Sequence, residues 1–133
     1  TTEIYLFPYT TLSDLPSFPI ELHVIRLGDI VFVSTPFELF LDYGIRVQAR
    51  APAVQTFVVQ LVGSRCPDTA EPGAVDPSRF PQRGGTYLPT ARAEAGGGYS
   101  ACVYCNQVGH EGGQEWVEGC LREIGALFHG PAC

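Results

Sequence analysis

Three side chains in this chain of 133 residues could meet a metal ion or a developing oxyanion. Glu38 follows closely on the apolar run 30–33, which has the character of a buried strand. Tyr87 and Tyr99 lie in glycine-rich surroundings, where a loop can present a side chain to a cleft. Together these residues indicate part of an active site.

Each of these residues also has an explanation that needs no ligand. Glu38 is the third residue after Thr35, with Pro36 between them, and this pattern fits a helix start in which Thr35 is the N-cap and Glu38 completes a capping box. Tyr87 and Tyr99 could be loop aromatics that pack on a sheet. The sequence alone leaves both explanations open.

A β-hairpin is predicted upstream of Glu38. Residues 20–24 alternate apolar and polar side chains, as a half-buried strand does. Residues 30–33 are continuously apolar, which is typical of a strand covered on both faces. Gly28-Asp29 between the two strands fits a two-residue hairpin turn, so we expect the strands to be antiparallel.

A β-α-β crossover is predicted to follow. The capping pattern and the spacing of apolar residues predict a helix over about 35–50, and the β-branched run 56–62 predicts a strand. Because a crossover joins parallel strands, this strand should lie parallel to the strand at 30–33, giving a mixed sheet.

The rest of the chain is assigned more coarsely. Residues 1–19 contain three Pro without a sustained period and are predicted to be an irregular lead-in, and residues 63–98 to be a long Pro/Gly-rich loop. Helical spacing of apolar residues predicts a C-terminal helix over 111–128 that covers one face of the sheet. The predicted fold class is α/β (α+β), a two-layer arrangement of a mixed sheet and helices in a single domain or in a fragment of a larger catalytic domain.

Composition excludes several functions. The net charge is −6, with eight Arg and no Lys, so nucleic acid is not an expected partner and there is no polybasic segment for anionic lipid. No apolar run approaches the roughly 20 residues that span a bilayer, so no transmembrane segment is expected. The chain contains no Met at all, which favours a segment of a longer precursor.

The five cysteines and three histidines are further candidates for disulfides or metal ligands. The Cys residues allow two disulfides and one thiol in a secreted or extracytoplasmic protein, or free and metal-bound thiols in a reducing compartment. Cys102, Cys105 and His110 suggest a zinc knuckle, but such a site needs four ligands, so a local disulfide or plain thiols are favoured. His23 has no second ligand near it in the sequence and is interpreted as a surface histidine.

Several motifs together resemble the neutral (non-lysosomal) ceramidase family, zinc-dependent amidases that split ceramide into a sphingoid base and a fatty acid. The motifs occur in the family's order and span roughly residues 20–128, which correspond to the C-terminal part of a family catalytic domain. They are Ile25-Arg26-Leu27-Gly28-Asp29, Pro36-Phe37-Glu38, Tyr87-Leu88-Pro89-Thr90 and Gly97-Gly98-Tyr99.

The resemblance implies a role for each candidate residue. Glu38 and Tyr87 match zinc ligands of the family, and Tyr99 matches a tyrosine that helps to hold the substrate carbonyl. The family's histidine ligands lie upstream of the part that resembles this chain, so the resemblance implies that the remaining ligands precede Thr1. It further implies a lipid amide as substrate and an inactive segment when these 133 residues stand alone.

Departures from the family pattern favour an alternative, a non-catalytic binding or assembly module that keeps the fold. Phe37 replaces a glycine beside the expected metal, Ser100 replaces a common glutamate, and residues 66–83 form an insertion beside the expected pocket. A third possibility is a secreted, disulfide-bonded protein with an unrelated role.

Overall fold

The computed structural model describes residues 2–6, 18–62, 87–102, 106 and 108–130. Within them the chain forms seven strands, three α-helices and one 3-10 turn. In chain order these are β1 (Thr2–Leu6), β2 (Phe18–Leu22), β3 (Val24–Leu27), β4 (Ile30–Ser34), β5 (Glu38–Leu39), α1 (Leu41–Arg50), β6 (Gln55–Val59), β7 (Tyr87–Leu88), α2 (Ala91–Gly96), the 3-10 turn (Tyr99–Ala101) and α3 (His110–His129). The α+β class predicted from the sequence is confirmed.

A three-stranded mixed sheet has the order β3-β4-β6. β3 and β4 are antiparallel and joined by the predicted turn, in which Gly28 has a φ of 62° that suits glycine. The first strand of the predicted hairpin is wrong: the partner strand of β4 is Val24–Leu27, and residues 20–22 belong to β2, which pairs with β1. β4 and β6 are parallel, with Val31 opposite Thr56, so the predicted crossover pairing is confirmed. Val31 and Val33 are buried whereas Ile30 and Phe32 are only half-buried, so the described residues cover one face of β4 more completely than the other.

The lead-in predicted over 1–19 is partly wrong. β1 pairs antiparallel with β2, which begins at Phe18, and residues 7–17 lie outside the described part. Ile4 packs beside Ile20 in the core, so burial of scattered apolar residues stabilises a strand pair without a long alternating pattern.

The predicted start of the first helix, near residue 35, is also wrong. α1 begins at Leu41 and ends at Arg50 as expected, but Glu38 and Leu39 form β5, which pairs in parallel with β7 in a separate two-stranded sheet. Residues 63–86 of the predicted long loop lie outside the described part, and β7 and α2 occupy 87–96.

The C-terminal helix α3 forms a layer against the strands. Its ends agree with the predicted bounds to within one residue. Its apolar face packs on β1, β3 and α1. The core contains side chains from every layer: Ile4, Ile20, Leu22, Val31, Val33, Phe37, Tyr43, Val47, Leu88, Val108, Trp116, Val117, Cys120 and Ile124. Among the described residues no helix combines the length and the apolar character needed to cross a membrane.

Candidate functional site

Glu38 and Tyr87 lie side by side on neighbouring strands. They are Cα partners in the parallel pairing of β5 with β7, and Leu39 is the partner of Leu88. Side chains of directly paired residues project from the same face of a sheet, and successive residues alternate between faces. Because Leu88 is fully buried and Leu39 packs against the core, Glu38 and Tyr87 project from the opposite, outward face.

Tyr99 joins this pair through its ring. The Tyr87 and Tyr99 ring centroids are 6.1 Å apart with an interplanar angle of 80°, an edge-to-face contact that aromatic pairs favour. Tyr99 is 76% exposed, so its hydroxyl is within reach of solvent or a ligand. The fold therefore brings together all three residues that the sequence singled out, although Glu38 and Tyr87 are 49 positions apart.

Hydrogen bonds from the two residues after Glu38 explain why Glu38 is in a strand. The backbone N–H of Phe40 donates to the carbonyl of Leu88 at 3.3 Å, and the N–H of Leu39 donates to Oε1 of Gln60 at 2.7 Å. These partners are distant in sequence, so no local pattern could have predicted them.

The capping explanation of Glu38 is wrong. The Thr35 hydroxyl accepts from the N–H of Phe37 at 3.3 Å, which closes a local turn. The N-cap of α1 is Phe40, and no side chain caps that helix. Glu38 thus has no part in starting the helix.

Thr90 and two glycines shape the approach to Tyr99. The Thr90 hydroxyl accepts from the N–H of Ala93 at 3.2 Å and caps α2. After α2 the chain turns at Gly97 and Gly98, whose φ values of 69° and 120° favour glycine. The glycine-rich stretch therefore has a backbone role, which is to direct the chain into the 3-10 turn that carries Tyr99.

A carboxylate and a histidine that the sequence analysis did not connect lie beside this region. Oε1 of Glu94 accepts from the backbone N–H of His110 at 2.8 Å, and its other oxygen contacts Nδ1 of the His110 ring. Glu94 therefore satisfies a free N–H at the start of α3, where the helix dipole also favours negative charge. The 16-residue separation of Glu94 and His110 gives no local signal in the sequence.

Tyr43 ties the same end of α3 to the strand that carries Tyr87. Its hydroxyl donates to the carbonyl of Pro89 at 2.7 Å and lies 3.2 Å from the carbonyl of His110. Burial raises the pKa of Tyr43 to about 12, so the hydroxyl remains a donor at neutral pH. This buried contact holds β7 against the body of the fold.

The chemistry of the donors fits part of a zinc site. A carboxylate oxygen from Glu38 and a phenol oxygen from Tyr87 are hard donors on one face, and zinc accepts such oxygens in a set of four or five ligands. The described residues contain no group of three or more His, Cys, Asp and Glu side chains that could hold a metal.

The other predicted ligand candidates do not extend this set. His23 is half-exposed and lies 3.5 Å from Glu21, which is consistent with a surface histidine. Cys102 donates to the carbonyl of Tyr99 at 3.4 Å, and Cys105 of the proposed knuckle lies outside the described residues. Cys120 is a buried free thiol in the described part, and the pairing of Cys102 with Cys66, Cys105 or Cys133 remains a prediction because these three residues lie outside that part.

The structure describes two of the residues at which the chain departs from the ceramidase pattern that it resembles. Phe37 is only 2% exposed and belongs to the core, so its bulk points away from the face that carries Glu38. Ser100 follows Tyr99 in the 3-10 turn, and its carbonyl accepts a hydrogen bond from Asn106. The insertion at 66–83 lies outside the described residues.

Comparison of the chain with protein-family models, with curated proteins and with solved structures gave no match in any of the three. The function of the chain is therefore inferred from its own residues.

Proposed function

We propose that this chain forms part of the active site of a ceramidase-like, zinc-dependent amidohydrolase that cleaves the amide of an N-acylated lipid. The observation that supports the proposal is the pairing of Glu38 with Tyr87 on one outward face, with the Tyr99 ring against Tyr87. These three residues were singled out for their chemistry in separate motifs, and the fold places them next to one another. Tyrosines that only pack as loop aromatics would have no reason to lie beside Glu38.

The three side chains take distinct roles in this proposal. Glu38 and Tyr87 would hold a zinc ion through their oxygens, and histidines from the remainder of the catalytic domain would complete its ligand set. When bound, zinc supplies Lewis acidity and lowers the pKa of its water toward about 7. Tyr99 donates a hydrogen bond to the substrate carbonyl, and this bond strengthens as negative charge develops on that oxygen.

The proposed partners follow from the same assignment. They are the remainder of the catalytic domain and a lipid amide of the ceramide type, and the cysteine content supports an extracytoplasmic or secreted location. Intact mass with and without reductant tests the location, because bridges among the five Cys would shift the mass by about 2 Da each.

A non-catalytic binding or assembly module is the second candidate. Phe37, Ser100 and the insertion at 66–83 favour this module, because they depart from the ceramidase pattern at residues around the expected pocket. A folded protein of natural length that takes up no zinc would support the module over the enzyme.

Zinc content and amide hydrolysis test the enzyme proposal on the polypeptide in its natural length. We expect Glu38→Gln to lose zinc and hydrolysis of an N-acylsphingosine, because a neutral amide is a poor replacement for a carboxylate ligand. Glu123→Gln, which makes the same change on α3, should keep both. Equal zinc content in the two variants would refute the role of Glu38.

Removing single hydroxyls separates the two tyrosines. Tyr87→Phe keeps the ring contact with Tyr99 but deletes the oxygen donor, so we expect lower zinc affinity. Tyr99→Phe should keep zinc and slow hydrolysis by about 10²–10³-fold, the usual effect of losing one oxyanion donor. The assignment fails if Tyr99→Phe loses zinc while Tyr87→Phe retains it.

A further inference from the structure

In the 3-10 turn that carries Tyr99, Ala101 is buried but Tyr99 itself is not. Tyr99 is 76% exposed, and the two glycines before it, Gly97 and Gly98, place no side chain against the core. An exposed ring at the end of a glycine-rich segment has many accessible conformations unless other contacts fix its backbone.

Asn106 supplies those contacts. Its side-chain amide nitrogen donates to the carbonyl of Ser100 at 3.0 Å and to the carbonyl of Cys102 at 3.3 Å. Asn106 is 2% exposed, so its amide is fixed in the interior and ties the middle of the 3-10 turn and the residue after it to that interior. The side-chain nitrogen of Asn carries two N–H groups, so it can donate one hydrogen bond to each of two neighbouring carbonyls.

We propose that Asn106 is a positioning residue for Tyr99. It holds the backbone on the C-terminal side of Tyr99, and the edge-to-face contact with Tyr87 then orients the ring toward the face that carries Glu38. The functional meaning of this placement depends on the proposed amidohydrolase site, but the placement itself can be measured without zinc or substrate.

The test uses the full chain and NMR contacts between the two tyrosine rings. Asn106→Asp keeps the shape of the side chain but replaces both donors with an acceptor that repels the two carbonyls. We expect the cross-peaks between the Tyr87 and Tyr99 rings to disappear, while far-UV circular dichroism and the signals of α3 and the central sheet are retained. Gln55→Glu is the matched control, because it makes the same amide-to-acid change at a bond to the Thr56 carbonyl and should leave the ring contacts unchanged.

Asn106→Ala provides a second measurement in case the buried acid prevents folding. It removes both donors without adding charge, and the same loss of ring cross-peaks is expected. Unchanged ring contacts in a folded Asn106→Asp or Asn106→Ala variant would overturn the proposal. Failure of the zinc experiment with intact ring contacts would instead count against the amidohydrolase and leave the role of Asn106 standing.

Discussion

The buried hydroxyl of Tyr43 connects three elements of this fold. It is the one side chain that joins α1, the end of β7 and the start of α3 through the hydrogen bonds given above for the described residues. A buried phenol that donates to a carbonyl contributes net stability, and its loss leaves that acceptor without a partner.

We therefore expect Tyr43→Phe to lower the free energy of unfolding by about 1–2 kcal/mol at pH 7, measured by denaturant titration. The pKa of Tyr43 is about 12 in the folded protein and about 10 in the unfolded chain, so the folded state holds the proton more tightly. This contribution is complete below pH 10 and is lost as the pH rises through 12, a loss of about 3 kcal/mol at most.

The control for this prediction is the same pH series on the phenylalanine variant. Burial also raises the pKa of the Cys120 thiol, which weakens the fold at alkaline pH in both proteins, so only the difference between them reports Tyr43. Parallel pH profiles from pH 9 to 12 would show that Tyr43 is not the titrating group.

At the scale of elements, the short pairing of β5 with β7 decides the geometry of the site. Each strand has only two residues, so the pairing depends on the core burial of Leu88 and on the cross-links from Phe40 and Leu39. Two-residue strands are far too short to show a period of two, and the Thr-Pro-x-Glu pattern favoured a helix. Contacts distant in sequence overrode a local preference here.

Helix α3 contains glycines with opposite structural roles. A Cβ at Gly113 would overlap the Tyr43 ring, whereas a Cβ at Gly125 would meet nothing within 4 Å. Gly113 therefore permits the close approach of α3 to Tyr43, and Gly125 only weakens the helix.

This contrast gives a matched pair of substitutions. Gly125→Ala should raise the free energy of unfolding by about 0.5–1 kcal/mol through helix propensity. Gly113→Ala gains the same propensity but must displace a buried ring, so we expect a net loss of about 1–3 kcal/mol. Equal stabilisation of both variants in denaturant unfolding would show that the Tyr43 ring moves without cost.

On the scale of the whole molecule, α3 connects the layers. Trp116 and Cys120 are fully buried on its inner face, and the indole N–H of Trp116 donates to the carbonyl of Ser34 at 3.3 Å. Trp116 is the single tryptophan, so its fluorescence reports the core directly. The thiol of Cys120 can react only after the same core opens.

We expect the fluorescence of Trp116 and thiol labelling of Cys120, read by peptide mass mapping, to follow the same unfolding transition. Their coincidence is the sign of cooperative unfolding in a domain of this size. Labelling of Cys120 well before the fluorescence change would show that α3 detaches in a separate step.

The sequence by itself determined the parts that depend on neighbours along the chain: the turn at Gly28, the end of α1 at Arg50, the strand β6 and helix α3. It also singled out Glu38, Tyr87 and Tyr99 by their chemistry and setting. Only the tertiary structure decided that Glu38 lies in a strand, that Thr2–Leu6 pairs with β2, and that Asn106 holds the turn of Tyr99. These features depend on hydrogen bonds and on packing between residues that are distant in sequence. The sequence around each of these residues is too short or too irregular to indicate its partner, so the contacts can be seen only in the folded chain.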